Sequence, residues 1–416
     1  MILKHISGSH SDVAPFLPLT RAHELLEQYT ATDEVVILVD HLWESHLATD
    51  VLKPFVAVIK KHRPWKIFLV INSWEQANHK AIEEVGADDI LYVDFFLYRV
   101  YKEIVVRKKS STKQADSLPY SRDKFLFLTG KAHRTNRIGL LKKFINANLM
   151  GNAEWSFYYF ALNKRYNVLV REQLSNLNDA EFEQFINTWR RNPDNINIEK
   201  TVTTYGYEYN GIPYDVSLYA NTDFSVVSET TFDETINPWI TEKVWIPILN
   251  KHPFIIAGDT NILNKLEQMG FETFREFLKV SDYDTITDPN ARLDAVVANT
   301  QHFLTTLKDH AQTVNQDANS NYSKLTDLYF INNEKILNFI YRNNLIEFSI
   351  DDIVPTVGRY DSHLDDSTHD QRFVAFYNKI KDTQWPDVTS VSDFYNLPEE
   401  IRLECVNTFG FIPPPQ

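Results

Sequence analysis

Glu242 and Lys243 stand side by side behind Thr241, where the string ITEKVWIPIL opens an apolar segment. Thr241 suits a helix N-cap, which puts the carboxylate and the ammonium in the first turn. Such a turn presents free N–H groups and partial positive charge, and so favours phosphate. A lysine there adds a cation for a diphosphate, and a glutamate can accept hydrogen bonds from the two hydroxyls of a ribose. Just upstream, Ser228 and Glu229 open a polar turn after the apolar run Phe224 to Val227. A second group, Lys131, His133, Arg134 and Arg137, follows the apolar run Phe125 to Leu128. A third, Asp40, His41 and Glu44, lies at the end of VVILVD, with His10 in GSHSD a further residue of the same kind. A carboxylate or imidazole at the carboxyl end of a buried strand is placed to act as a general base toward a hydroxyl. Plainer readings stand beside these: an ordinary helix start with a Glu-Lys pair, an aspartate capping the next helix, and a solvated basic loop.

The elements that must position these groups alternate along the chain. Val35 to Asp40, Lys66 to Ile71 and Ile90 to Phe95 read as buried strands rich in β-branched residues. Helices are expected between them, at Leu52 to Lys61 and at Glu75 to Val85 before Gly86. Strand-helix-strand repetition implies a parallel sheet with right-handed crossovers. The polar segment Arg107 to Asp123 then reads as a connector. Beyond it, the strand Phe125 to Leu128 leads through the basic loop into a helix with Ile138, Leu141 and Ile145 on one face. The spacing of a P-loop is absent there. The strand Phe224 to Val227 leads through Asn237-Pro238 to the Thr241 helix, where Val244, Trp245, Ile248 and Leu249 form a buried face and Pro247 shortens the run. Pro253 to Ala257 is the next strand, closed by Gly258. Ligands of open α/β sheets bind beyond the carboxyl ends of strands, so both loops are where a phosphate-bearing ligand belongs. Helical periodicity fills Asn290 to His310 and Lys324 to Asn344.

The order SET, then ITEKVWIPILNKHPFIIAG, then LEQMGFETF resembles the donor-binding half of the α-1,3-fucosyltransferases and related GT-B glycosyltransferases. The resemblance spans about residues 122 to 285 and differs at SETTFDE, where those enzymes carry a FEN-like string. It implies two Rossmann-like domains facing a cleft, with Glu242 and Lys243 on the ribose and phosphates of a nucleotide-sugar donor. It also implies Arg134 and Arg137 as diphosphate clamps, a task that suits guanidinium better than ammonium. Lys131, Ser228, Glu229 and Thr241 complete the implied donor-binding set. The acceptor base would come from the N-terminal domain, from Asp40, His41 or Glu44. The donor is then a co-substrate and no cofactor is implied. SDYD, Ser281 to Asp284, follows a helix and is not read as a metal-binding Asp-x-Asp, so no metal ligands are assigned.

Composition bounds the remaining classes. The chain has 416 residues, 43% hydrophobic and 13% aromatic, enough for two or three globular domains. Its single cysteine, Cys405, excludes an intramolecular disulfide and a cysteine zinc cluster. No signal-peptide core and no apolar run of about 18 residues is present, so a cytoplasmic protein without a membrane segment is expected, in the host cytoplasm if phage-encoded. The net charge of −14 argues against whole-surface attraction to nucleic acid, yet thirteen Lys/Arg and three Asp/Glu lie between Arg99 and Lys143. That local excess points to a phosphate-bearing ligand at one place, while Arg107 to Lys113 alone reads as a solvated linker. Between Asn152 and Asp223 the chain is rich in aromatics, and the tyrosines of TVTTYGYEYNGIPYD suit either a sugar face or each other. Near the end, WPDV, LPEEI and EC resemble tails of marine phage-encoded chains.

The fold expected is therefore α/β of the GT-B type with C-terminal helices and a small tail. An acceptor domain is expected at 1–120, a donor domain at 121–345, and a linker and tail at 346–416. The function expected is metal-independent sugar transfer to a glycan or small glycoside. A hydroxylated base in phage DNA is the alternative acceptor. A non-catalytic protein binding a sugar nucleotide or nucleic acid on the same fold is the further alternative.

Overall fold

The structure, a computed structural model, describes residues 1–7, 17–41, 49–73, 79–107, 120–131, 135–158, 216–232 and 237–354. The chain divides into two compact units, Met1–Phe95 with Asn333–Gln416, and Phe96–Asn332. Most of the expected connector, the tyrosine-rich loop and the chain beyond Val354 lie outside the described residues.

The first unit is built from β1 (Ile2–Ser7), α1 (Leu17–Gln28), β2 (Val35–His41), α2 (Thr49–His62), β3 (Lys66–Asn72), α3 (His79–Glu83) and β4 (Asp89–Val93). Its four strands are parallel and stand in chain order, β1-β2-β3-β4. Right-handed crossovers between successive neighbours carry every helix to the same face. Side-chain packing agrees, because Val35, Ile37 and Val39 of β2 and Ile67, Leu69 and Ile71 of β3 share one cluster with Leu25, Phe55, Ile59 and Ile82. The alternate residues Val36, Leu38, Phe68 and Val70 are buried as well, so these strands are covered on both faces. Phe339 supplies part of that second cover, edge-on to Phe68 with ring centres 5.5 Å apart. Close by in the chain, Arg342 grips both oxygens of Asp89 at 2.6 and 3.0 Å, and Asn343 adds a bond of 2.6 Å. Burial pushes the Asp89 carboxyl up, but Arg342 and Asn343 outweigh it and hold the group below the usual carboxylate range.

Sequence periodicity misplaced some of this. β1 and α1 were not foreseen, because ILKHIS mixes charge into a short run at the sheet edge. The strand expected to reach Phe95 ends at Val93, since Phe95 begins α4 (Phe95–Tyr101), which continues as a π-helix over Lys102–Arg107.

The second unit holds β5 (Phe125–Lys131), α5 (Thr135–Asn146), β6 (Ala153–Tyr158), α6 (Val216–Ala220), β7 (Phe224–Ser228), α7 (Glu242–Leu249), β8 (Phe254–Ala257), α8 (Ile262–Gln268) and α9 (Pro289–Thr306). The helix α10 (Ala311–Arg342) gives its residues up to Asn332 to this unit and the rest to the first, where α11 (Ile350–Ile353) also belongs. The sheet is parallel, in the order β6-β5-β7-β8. The chain leaves β5 toward β6 on one side and leaves β7 toward β8 on the other, so the order reverses between β5 and β7. Those two strands pair only at Phe125↔Phe224 and Leu126↔Ser225 and part toward their carboxyl ends. A reversal of this kind opens the crevice in which doubly wound sheets take their ligands.

Packing fixes this sheet around phenylalanines. Phe125 meets Phe144 and Phe224 at 5.2 and 5.8 Å, and Phe224 meets Phe303 at 5.2 Å. The face of α5 differs from expectation: Leu140, Leu141 and Phe144 are buried, whereas Ile145 is 40% exposed. In α7 every residue from Val244 to Leu249 is buried, not a single stripe, because the helix lies inside its unit. β8 is an edge strand, and the hydroxyl of Tyr283 accepts from Ile256 N at 2.9 Å and donates to Ile256 O at 2.8 Å. One side chain thus covers the outward backbone groups of that edge. Among the described residues no helix is long and apolar enough to cross a membrane.

Candidate functional site

The site lies at the carboxyl end of β7, where the strand gives way to a loop that ends in α7. Thr241 is the N-cap in extended backbone, and its hydroxyl accepts from Lys243 N at 3.5 Å. The cap thereby holds Glu242 and Lys243 in the first turn, as the sequence implies. Pro247 removes one helical donor, and α7 ends two residues later, with Asn250 N reaching back to Ile246 and Pro247 carbonyls.

Glu229 is the buried post of this arrangement. It has no exposed surface, and its backbone N–H extends the β7–β8 ladder to Ala257 O at 2.9 Å. Its Oε1 accepts from Thr241 N at 2.9 Å, and its Oε2 accepts from Thr241 Oγ1 at 2.6 Å and from Thr230 N at 3.0 Å. Gly258 makes room for it, since a Cβ there would sit 3.3 Å from Glu229 Cβ. Burial pushes the Glu229 carboxyl up, while the Lys243 ammonium and the Thr241 donors oppose that rise.

The ammonium of Lys243 donates to Thr230 Oγ1 at 3.0 Å, Thr241 Oγ1 at 3.1 Å and Glu242 Oε1 at 2.7 Å. Three donors meet three acceptors, and the Glu242–Lys243 pair keeps about a quarter of each side chain exposed. Burial raises the Glu242 carboxyl, but the charges of Lys243 and Arg99 outweigh it and hold the group below its ordinary value. Glu242 is therefore an ionised, reachable acceptor at neutral pH.

The basic loop after β5 comes to the same place. Asn136, in the first turn of α5, donates to Glu229 O at 3.1 Å and to Ser228 Oγ at 3.5 Å. Arg137 is next to it and is buried, as is Ser228. Where β5 and β7 part, a cavity of about 130 Å³ is lined by Leu126, Leu128, Val227 and Ser228 and reaches Glu242 and Lys243. The structure thus joins Ser228, Glu229, Thr241, Glu242 and Lys243 to the start of α5. Arg134 and the side chain of Lys131 lie outside the described residues. So do Glu44, His10 and the side chains of Asp40 and His41, the last two marking by backbone the end of β2.

Three residues of this surround were not read from the sequence. Arg99, on α4, contributes charge to Glu242, and its only sequence signal is its place in the basic run. Asp259, after β8, accepts on Oδ2 from Thr231 Oγ1 at 2.6 Å and from Trp239 N at 3.1 Å. Arg292, on α9, donates to Phe232 O at 2.8 Å and lies 4.0 Å from the centre of the Phe232 ring. The string SDYD is structural: Asp284 accepts from Leu263 N at 3.1 Å, and Tyr283 caps the β8 edge. Among the described residues no group of three or more His, Cys, Asp or Glu is arranged to hold a metal ion.

No protein-family model matches the chain, and no curated protein matches it. Among solved structures it is similar to OtsA in its apo form, at 10% identity over 78% of this chain and 76% of that one, with a TM-score of 0.39. It is also similar to a UDP-forming alpha,alpha-trehalose-phosphate synthase from Burkholderia xenovorans, at 11% identity over 76% of each chain and a TM-score of 0.36. A third likeness is to "Trehalose-6-phosphate from E. coli bound with UDP-2-fluoro glucose", at 11% identity over 80% of this chain and 77% of that one, with a TM-score of 0.35. Overlap this loose carries no argument about chemistry, which rests on the side chains at β7 and α7.

Proposed function

We propose that the chain is a GT-B glycosyltransferase that takes its sugar from a nucleotide-sugar donor without a metal ion. The observation that carries this reading is the Glu242–Lys243 pair, capped by Thr241 and held by Glu229 at the point where the strand order reverses. A diphosphate oxygen would take the place of Glu242 beside the Lys243 ammonium. The released carboxylate would then accept from the ribose hydroxyls, so one exchange serves both halves of the donor. Arg134, Arg137 and Lys131 would add charge from the loop and helix after β5.

In the transfer, the acceptor oxygen forms its bond to the anomeric carbon as the bond from that carbon to the phosphate oxygen breaks. The electron pair leaves with the diphosphate, stabilised by the cations, and the acceptor proton passes to a base. Asp40, His41 and Glu44, at the carboxyl end of β2, are the candidates for that base. The acceptor proposed is a hydroxyl of a glycan or small glycoside. The basic stretch from Arg99 to Lys143 supports a hydroxylated base in DNA as a second acceptor class, whose binding would weaken steeply with salt.

Calorimetry and donor turnover with a panel of nucleotide sugars test the reading. Lys243→Ala should weaken the donor by roughly ten- to a hundredfold, the worth of one charge-assisted contact. Donor binding unaltered by that substitution would remove the main support. Binding without turnover on any acceptor would favour a non-catalytic sugar-nucleotide protein.

A further inference from the structure

The loop between β7 and α7 is held by three buried charged side chains from three different elements: Glu229 at the end of β7, Asp259 after β8, and Arg292 on α9. Burying charge is costly, and apolar contacts would fix a loop with less penalty. Such groups are worth keeping where one particular backbone arrangement has to be specified.

Asp259 does something the other two do not. Its Oδ2 alone accepts from Thr231 Oγ1 on the first limb of the loop and from Trp239 N on the second. Those donors are eight residues apart in sequence and belong to the limbs that carry Thr230 and Thr241. Thr230 and Thr241 are two of the three partners of the Lys243 ammonium, at 3.0 and 3.1 Å. The side chain of Trp239 is itself fixed, edge-on to Phe96 with ring centres 5.8 Å apart. From this geometry we infer that Asp259 is a positioning residue for the donor site, tying the two limbs so that Thr230 and Thr241 converge on Lys243. This role rests on the donor reading of Glu242 and Lys243.

Both tied donors meet the same oxygen, so an amide can replace the carboxylate. Asp259→Asn keeps one carbonyl oxygen for both, whereas Asp259→Ala leaves both without it, and Thr231→Val cuts one limb only. The full chain and these three variants are compared by amide hydrogen exchange over residues 237–243, by melting temperature, and by calorimetric titration with UDP and GDP. Asp259→Ala should speed exchange in that segment and weaken the nucleotide that binds by roughly ten- to a hundredfold, the scale on which remote misplacement acts. Thr231→Val should fall between, and Asp259→Asn should stay near the wild type, a rescue that loss of a generic buried charge would not give. Should Asp259→Ala fail to fold, Thr231→Val and Asp259→Asn still carry the comparison. Faster exchange with unchanged affinity would overturn the positioning role, as would unchanged exchange. A wild-type chain that binds neither UDP nor GDP would overturn the donor reading and this role with it, whatever the exchange data show about the tie.

Discussion

Replacing Glu229 with glutamine keeps the shape of the side chain and removes half of its accepting power, which makes it the sharpest probe of the site. The carboxylate receives three donors: Thr241 N on Oε1, and Thr241 Oγ1 with Thr230 N on Oε2. An amide offers one oxygen and one NH₂. With the NH₂ toward Thr230, that backbone N–H loses its partner. With the NH₂ toward Thr241 N, the N-cap N–H loses its own. Either orientation strands one buried backbone donor, at a cost of about 1–3 kcal/mol. The first orientation also sends a new donor into Thr241 Oγ1, which already receives Lys243 N and Lys243 Nζ. One lysine contact must then give way. A term acts in the opposite sense, because Glu229 titrates above its ordinary value through burial, and its fold therefore gains stability as pH falls. Glutamine is free of that penalty at neutral pH. The expected outcome is a small change in melting temperature with a donor affinity lowered by roughly tenfold or more, as a 1.4 kcal/mol loss implies. Calorimetry with nucleoside diphosphates, run beside thermal melts at pH 7, reads both quantities. A Glu229→Gln chain that melts lower yet binds as tightly as wild type would refute the claim that this carboxylate prepares the donor site.

Two further outcomes follow from buried polar groups elsewhere in the second unit. Burial pushes the pKa of His252 down to about 4, its Nδ1 lies 2.8 Å from Ser225 Oγ, and its Nε2 lies 3.1 Å from Thr222 O. Its folded value lies below the ordinary 6.5, so its contribution is complete above pH 6.5 and is lost as pH falls toward 4, by about 3 kcal/mol in all. Denaturant midpoints measured between pH 7 and pH 4 should fall more steeply for wild type than for His252→Gln, and parallel curves would contradict this. Tyr283→Phe leaves Ile256 N–H and C=O unpaired at the β8 edge and should cost about 1–3 kcal/mol in urea unfolding. An unchanged midpoint would show that the hydroxyl does not hold that edge.

Local chemistry made a good part of this protein legible in the sequence. The β-branched runs announce β2, β3, β7 and β8, and Thr241 announces the start of α7 with Glu242 and Lys243 in its first turn, because strand preference and N-capping act over a few residues. Periodicity failed where burial was not one-sided: α7 is enclosed throughout, and α5 turns Leu140 and Phe144 inward where Ile145 was expected. Tertiary structure alone decided how Glu229 is used, because its carboxylate is spent on Thr230 and Thr241 and is enclosed by neighbours the string SET does not contain. It also decided that Asn136 meets Glu229 across more than ninety residues, that Asp259 binds Thr231 and Trp239, and that Arg292 holds Phe232. Such contacts follow from the order in which parallel strands pair and from where β5 and β7 part. Strand order leaves no period in the chain, so the partners of a buried charge emerge only once the sheet has formed.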